Sequence, residues 1–187
     1  MVLACLAGLA SAAPLFDVTS LTDNGLSTTS YASGTSNGVG FTFSGSIWSP
    51  RTNIVGGWQG FTGGNFVPAM PDSDVLHTGV FNPTFTFDQT ISSALVYLGN
   101  DNGASGWWDF GVSASVVSGD VEVSGTMFRV TSSTGGIVAL SGINSNVLSS
   151  PDIGDGNDFA IVVTPVPEPA SMAVLGLGLG ALRRRRG

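Results

Sequence analysis

Short runs of alternating apolar and polar residues, separated by clusters of glycine, serine, asparagine and proline, fill the middle of the chain. A period of two places successive side chains on opposite faces of a β-strand. No internal stretch keeps the 3.6-residue period of an amphipathic helix. The runs lie at residues 39–44, 75–81, 84–87, 94–98, 107–112, 121–123, 127–131, 137–140 and 159–164. The pattern predicts an all-β domain, an antiparallel β-sandwich or jelly roll.

Two segments depart from this pattern. Residues 17–40 are rich in Ser, Thr, Asn and Gly, and we expect an early edge strand there, followed by a mobile loop. Residues 47–70 mix large aromatic side chains with several glycines. Because that mixture suits neither a helix nor a long strand, we expect a structured loop with short strands.

Composition and charge narrow the classes of partner. Hydrophobic residues make up 42% of the chain and charged residues 10%, and lysine is absent. Residues 13–166 contain two arginines against twelve acidic residues, a formal charge of −10. Nucleic acid is therefore not an expected partner. A polar acidic surface is compatible with hydrated extracellular polymer, and equally with simple solubility.

The beginning of the chain has the features of an export signal. Its first ten residues are almost wholly apolar, and Ala10 and Ala12 supply the small side chains that signal peptidase requires. We expect a signal peptide at residues 1–12, with the mature chain beginning at Ala13. No basic side chain precedes Arg51, which suggests that the true start lies upstream.

The end of the chain has three parts in a fixed order. Pro167, Glu168 and Pro169 come first, and two prolines around a glutamate hold the backbone extended and open to a processing enzyme. An apolar run and an arginine cluster follow, with Met172, Leu175, Leu177, Leu179, Leu182, Arg183, Arg184, Arg185 and Arg186 as their main members. We expect a short hydrophobic helix that spans the membrane only transiently, since the 13 residues at 170–182 reach about 20 Å against a hydrocarbon core of about 30 Å.

Residues 166–187 resemble the PEP-CTERM sorting signal of Gram-negative bacteria that make exopolysaccharide. The resemblance implies that an exosortase recognises Pro167, Glu168 and Pro169 as substrate residues and processes the protein during export. It also implies a membrane-inserted precursor and a final location at the outer surface or in the extracellular matrix. The expected organisation is a signal peptide at 1–12, a β-sandwich domain at 13–165 and the sorting signal at 166–187.

Catalytic chemistry has little support in the sequence. His77 is the only histidine, so a zinc site of several imidazoles cannot form, and a Ser-His-Asp triad would need His77 with Asp72 or Asp74. We expect His77 to lie in a surface loop. Glu122 stands between two valines, where alternation turns its side chain to solvent. We therefore expect that the protein is not an enzyme.

Two segments are candidates for binding. One could bind Ca²⁺ through oxygen ligands, or be a solvated turn; its polar residues are Asp152, Asp155, Asn157 and Asp158. The other could form a sugar platform, or be core packing beside a turn, and it comprises Asn100, Asp101, Asn102, Trp107 and Trp108. Neighbouring residues of a strand point to opposite faces, so one tryptophan should be core and the other rim.

These features favour a non-catalytic surface or exopolysaccharide-matrix protein, structural or adhesive, that is sorted by an exosortase and needs no cofactor beyond the candidate Ca²⁺. Signal peptidase and the exosortase are its expected processing enzymes, and exopolysaccharide is a further candidate partner. The alternative is a lectin-like glycan-binding module. A secreted hydrolase is the third and least favoured hypothesis.

Overall fold

A computed structural model describes residues 16–22, 24, 29–49, 61, 64–69, 74–78, 82–99, 105–151 and 157–167. Every helix or strand within these ranges is a β-strand, which confirms the all-β class. The expected C-terminal helix lies outside them. The strands are β1 (Phe16–Thr22), β2 (Ser30–Ser36), β3 (Val39–Gly45), β4 (Ile47–Ser49), β5 (Leu76–Thr78), β6 (Thr84–Gly99), β7 (Trp108–Asp109), β8 (Ser113–Gly119), β9 (Val121–Ser124), β10 (Met127–Val130), β11 (Gly136–Ser149) and β12 (Asn157–Pro165).

Nine strands form one antiparallel sheet around the long strands β6 and β11. One edge of β6 pairs first with β3 and then with β12, while its other edge pairs with β11. The order β1-β2-β3 continues outward from the first half of β6, and β12-β5-β4 continues from its second half. Strand β8 extends the sheet beyond β11, and β7, β10 and β9 form a separate three-stranded sheet.

The long sheet folds over itself into two layers. Phe159 lies opposite Leu98, near the end of β6, yet its ring centroid is 5.2 Å from that of Phe85, near the start of the same strand. A straight strand would separate positions 85 and 98 by about 43 Å at 3.3 Å per residue. The sheet must therefore bend back so that its two halves pack face to face as a sandwich. We call the half with β1, β2 and β3 layer one, and the half with β12, β5 and β4 layer two.

The core between the layers combines aliphatic side chains with many aromatic rings. Alternation buries Val39, Phe41 and Phe43 on β3 while the residues between them face outward. The ring of Phe41 stacks on that of Phe16 with centroids 4.8 Å apart. Since each buried phenylalanine removes a large apolar area from water, this row of rings supplies much of the force that holds the layers together.

The predicted loop within residues 17–40 is a strand in the structure. The early strand is present as β1, but residues 30–36 form β2, and Asn37 and Gly38 then make a two-residue turn into β3 with φ of 51° and 80°. Asparagine followed by glycine is the preferred sequence for such a turn, because both positions need positive φ. The prediction was wrong because small polar residues in β2 concealed its alternation.

Two strands are longer than the runs that predicted them. The runs at 84–87 and 94–98 belong to β6, and the run at 137–140 continues to residue 149 in β11. Polar residues between the runs suggested loops. Instead they lie where the strands cross from one layer to the other, and register shifts between Ser141 and Ser145 mark that bend in β11.

The outer strands of the sheet are irregular. Register shifts interrupt the pairing of β1 with β2, of β4 with β5 and of β8 with β11. Asp74 also covers part of the outer edge of β1, since its carboxylate accepts from the Val18 N–H at 2.7 Å and its own N–H donates to the Phe16 carbonyl at 2.8 Å. Such bulges and caps disfavour edge-to-edge pairing between copies.

Candidate functional site

The end of β12 is where the chain leaves the domain. Phe159 to Val163 are buried along this strand, whereas Thr164 and Val166 are exposed. The Val166 N–H donates to the Thr90 carbonyl at 2.8 Å. Pro167 follows, is exposed, and has no N–H with which to continue the pairing. Among the described residues, this pairing extends to Val166, the residue before the Pro-Glu-Pro motif.

This geometry makes the start of the motif accessible while the domain stays folded. Pro167 lies one residue beyond Val166, whose N–H bonds to the Thr90 carbonyl. An enzyme that binds Pro167 therefore does not have to separate β12 from β6. The other residues predicted for sorting and cleavage lie outside the described ranges: Ala10, Ala12, Ala13, Glu168, Pro169, Met172, Leu175, Leu177, Leu179, Leu182, Arg183, Arg184, Arg185 and Arg186. No helix within the described ranges is long and apolar enough to cross a membrane.

The two neighbouring tryptophans have different environments, as alternation predicts. Trp108 on β7 is fully buried, and its ring stacks on Phe159 with centroids 4.7 Å apart. Its indole Nε1 has no hydrogen-bond partner within the described part of the chain. Trp108 is therefore a core residue and cannot contact a sugar, whereas Trp107 is half-buried at the surface.

A cation covers one face of Trp107. The guanidinium carbon of Arg129 lies 4.6 Å from the centroid of the Trp107 ring. Arg129 also donates from Nε and Nη2 to the Glu122 Oε2, at 3.0 and 2.7 Å. Glu122 is exposed, as expected, and faces β10 across the β9–β10 pairing. The cluster joins two strands of the small sheet and covers one face of the indole. Asn100, Asp101 and Asn102 lie outside the described ranges.

The expectation that His77 lies in a surface loop is wrong. His77 is in β5, between β4 and β12, and is buried. Its Nδ1 lies 2.8 Å from Oδ1 of Asp158, the residue directly opposite on β12. The run at residues 75–81 indicated a strand here, but its pattern does not show that strand β5 is buried, and only the pairing with β4 and β12 reveals that burial.

The same contact affects the Ca²⁺ prediction. Oδ1 of Asp158 contacts His77 on the neighbouring strand, so this oxygen is engaged within the β5–β12 pair rather than directed at a metal ion. Asp152 and Asp155 lie outside the described ranges, as does the side chain of Asn157. Among the residues that the structure describes, no group of three or more His, Cys, Asp or Glu side chains is arranged to hold a metal ion.

A polar cluster that the sequence did not indicate lies around Asp120. Its carboxylate accepts hydrogen bonds from the hydroxyl of Thr134, from that of Ser132 at 2.7 Å and from the Asn65 amide at 3.3 Å. These bonds, that from Thr134 first, hold the pKa of Asp120 below its ordinary value. The cluster ties the segment at residues 64–69 to two turns of the sheet. Its members are far apart in sequence, so spacing alone carries no signal.

An all-β domain whose last strand leads directly to the exposed Pro167 of a Pro-Glu-Pro motif is the arrangement expected of an exported protein with a sorting signal. Residues 165–186 match the family model of the PEP-CTERM protein-sorting motif, which confirms the resemblance noted from the sequence. The motif implies export, processing by an exosortase and a location at the cell surface. No curated protein and no solved structure matches the chain.

Proposed function

We propose that the protein is a non-catalytic component of the outer surface or exopolysaccharide matrix of a Gram-negative bacterium, with a structural or adhesive role. The observation that carries this proposal is the match of residues 165–186 to the sorting motif, which begins at Pro165, the last residue of β12. The match therefore begins at the end of the last described strand, which supports a cargo domain followed by a sorting signal.

The roles of four of the described acidic side chains support a non-catalytic function. Asp74 caps β1, Asp120 joins three segments, Glu122 pairs with Arg129 and Asp158 faces His77. Hydrolysis of a glycosidic bond needs two carboxyl groups held at a defined separation beside the substrate. Each of these carboxylates instead binds another part of the fold.

Processing is tested by intact-mass analysis of envelope and extracellular fractions from the host, with and without its exosortase. We expect the wild-type protein to lose both the segment before Ala13 and the arginine cluster. The strain without exosortase should accumulate a membrane-bound form that keeps the arginines. An intact tail in both strains would contradict the proposal.

A variant pair isolates the motif from general effects of proline replacement. Pro167→Ala combined with Pro169→Ala should leave precursor in the membrane, because the backbone around the glutamate is no longer held extended. Pro151→Ala replaces another exposed proline outside the motif and should be processed as the wild type is. Equal processing of both variants would show that the motif prolines are not recognised.

The alternative function is a lectin-like module that uses Trp107. The observation that favours it is the half-buried indole, whose face opposite Arg129 could stack on a sugar ring. Soluble glycan should then change tryptophan fluorescence in the wild type, and Trp107→Ala should abolish the change. A response that survives this substitution would rule out Trp107 as the platform.

A further inference from the structure

The outer face of layer one carries a shallow groove of about 390 Å³ across β1, β2, β3 and the start of β6. Its floor is a row of hydroxyl groups in register. Ser33 on β2 lies opposite Thr42 on β3, and Thr42 lies opposite Thr86 on β6. Adjacent strands are about 4.8 Å apart, so these hydroxyls repeat along a line perpendicular to the strands.

Two glycines border this groove, and Gly40 lies on the same outward face of β3 as Thr42. A Cβ atom on Gly40 would lie 2.7 Å from a carboxylate oxygen of Asp88, and one on Gly34 would lie 1.9 Å from the carbonyl oxygen of Asp17. The first would push aside a flexible side chain, but the second would collide with backbone. The carboxylate of Asp88 therefore lies over Gly40 at the end of the hydroxyl row, and the backbone of β1 lies against Gly34.

The hydroxyls along the groove are available to a ligand. Thr42 and Thr86 are exposed and Ser33 is half-buried. Their side-chain oxygens make no hydrogen bond within the described part of the chain. The comparable pair at the neighbouring position, Thr84 and Ser149, bond to each other at 2.9 Å. The hydroxyls in the groove are thus open to hydrogen bonds with a ligand, whereas those of Thr84 and Ser149 bond to each other.

An exposed aromatic ring and a carboxylate flank the row. Tyr31 lies two residues from Ser33 on β2, so both side chains share the outer face, and 54% of its surface is exposed. Asp88 lies two residues beyond Thr86 and is also exposed. The face therefore combines a ring for stacking, hydroxyls and a hydrogen-bond acceptor, and no cationic side chain lines the described groove.

We propose that this groove binds a neutral polysaccharide chain of the extracellular matrix. The proposal rests on the surface or matrix function proposed above and gives that function a partner and a site. Hydroxyl groups of a neutral glycan complement a face that both donates and accepts hydrogen bonds. An acidic polymer would be repelled by Asp88 and by the formal charge of −10 over residues 13–166. An apolar partner would leave the hydroxyls unpaired.

The probe is the exopolysaccharide of the producing host, separated by anion exchange into neutral and acidic fractions. Mature protein purified from that host is run on native gels that contain either fraction or no polymer. We expect the neutral fraction to retard the wild type and the acidic fraction to have no effect. Thr42→Val combined with Thr86→Val should weaken binding about ten-fold, as expected when two hydrogen bonds are lost.

Matched variants separate this site from others. Gly40→Thr should also reduce retardation, because its side chain enters the groove, while φ at this position needs no glycine. Thr164→Val makes the same chemical change on the exposed part of β12 and should bind as the wild type does. Thermal unfolding of each variant verifies that the domain is folded.

The outcomes distinguish this site from the function that it serves. No retardation by the neutral fraction, or retardation that the Thr42 and Thr86 changes leave intact, would overturn the groove proposal. Stronger retardation by the acidic fraction would overturn it too. Wild-type protein that is never processed in the host would instead refute the proposed surface or matrix function. Processed groove variants that are shed into the medium would support both proposals, and processed variants that stay in the matrix would refute the groove alone.

Discussion

The side-chain oxygen of Ser36, on β2 of layer one, connects the two layers by hydrogen bonds to β12 of layer two. It is fully buried at the end of β2, where it donates to the Ile161 carbonyl at 2.5 Å and accepts from the Val163 N–H at 3.0 Å. The edge of β12 that faces it is not paired with β5 at these residues, because that pairing covers only residues 157–159. Ser36 thus takes the place of a neighbouring strand.

Replacement of this residue by alanine tests that interpretation. Ser36→Ala leaves a buried carbonyl and a buried N–H without their partner, and each such group costs about 1–3 kcal/mol. The expected loss in the free energy of unfolding is therefore about 2–5 kcal/mol. For a slope of about 2 kcal/mol per M of urea, the midpoint of unfolding should fall by about 1–2.5 M.

The assay is urea unfolding followed by tryptophan fluorescence and circular dichroism, with hydrogen exchange at the Val163 amide as a local readout. Ser44→Ala is the control, since Ser44 lies on the outward face of β3 and is half-exposed. It should change stability by no more than about 0.5 kcal/mol. If the two variants unfold at the same urea concentration and the Val163 amide keeps its protection, the bridging role is refuted.

Three further outcomes are expected. Gly135→Ala should prevent stable folding, seen as loss of cooperative unfolding, because φ is +71° and the new Cβ would lie 2.1 Å from the Leu98 carbonyl oxygen. Burial raises the pKa of Tyr97 to about 12. The protonated phenol therefore stabilises the fold below about pH 10, and this contribution to the free energy of unfolding should fall by about 1.4 kcal/mol per pH unit as pH rises towards 12. Tyr97→Phe should flatten that alkaline decline in urea midpoints, and a decline equal to that of the wild type would contradict the assignment. The lowered pKa of Asp120 contributes stability that is present above its ordinary pKa and is lost as pH falls below about 4. Asp120→Asn should therefore reduce the difference between the urea midpoints of unfolding at pH 6 and at pH 3. An unchanged difference would count against a stabilising role of the hydrogen-bonded carboxylate.

Strand content was largely predictable from alternation. The runs in β3, β10 and β12 have large apolar side chains at every second position, and the structure confirms them as strands. Strands β2 and β8 were not predicted, because serine, alanine and glycine dominate them and give little contrast between their faces. In such strands the pairing partner, rather than the sequence of the strand itself, determines that the segment is extended.

The candidate sites divide in the same way. The sorting motif is contiguous, so the sequence was sufficient to recognise Pro167 and the residues that follow it. His77 and Asp158 are 81 residues apart and meet only because β5 pairs with β12. The hydroxyl groove likewise depends on register, since a shift of one residue between β3 and β6 would turn Thr86 away from Thr42.

The amino-acid sequence by itself determined the all-β class, the acidic surface and the sorting signal at the C-terminal end, because each depends on local composition or on contiguous residues. Only the tertiary structure decided that the long strands bend into two layers, that Trp108 is core while Trp107 is rim, and which polar side chains share a face. The physical reason is that these features arise from pairing between distant strands, where burial and register are properties of both partners. A serine such as Ser36 has the same local pattern as an exposed serine until β12 lies against it.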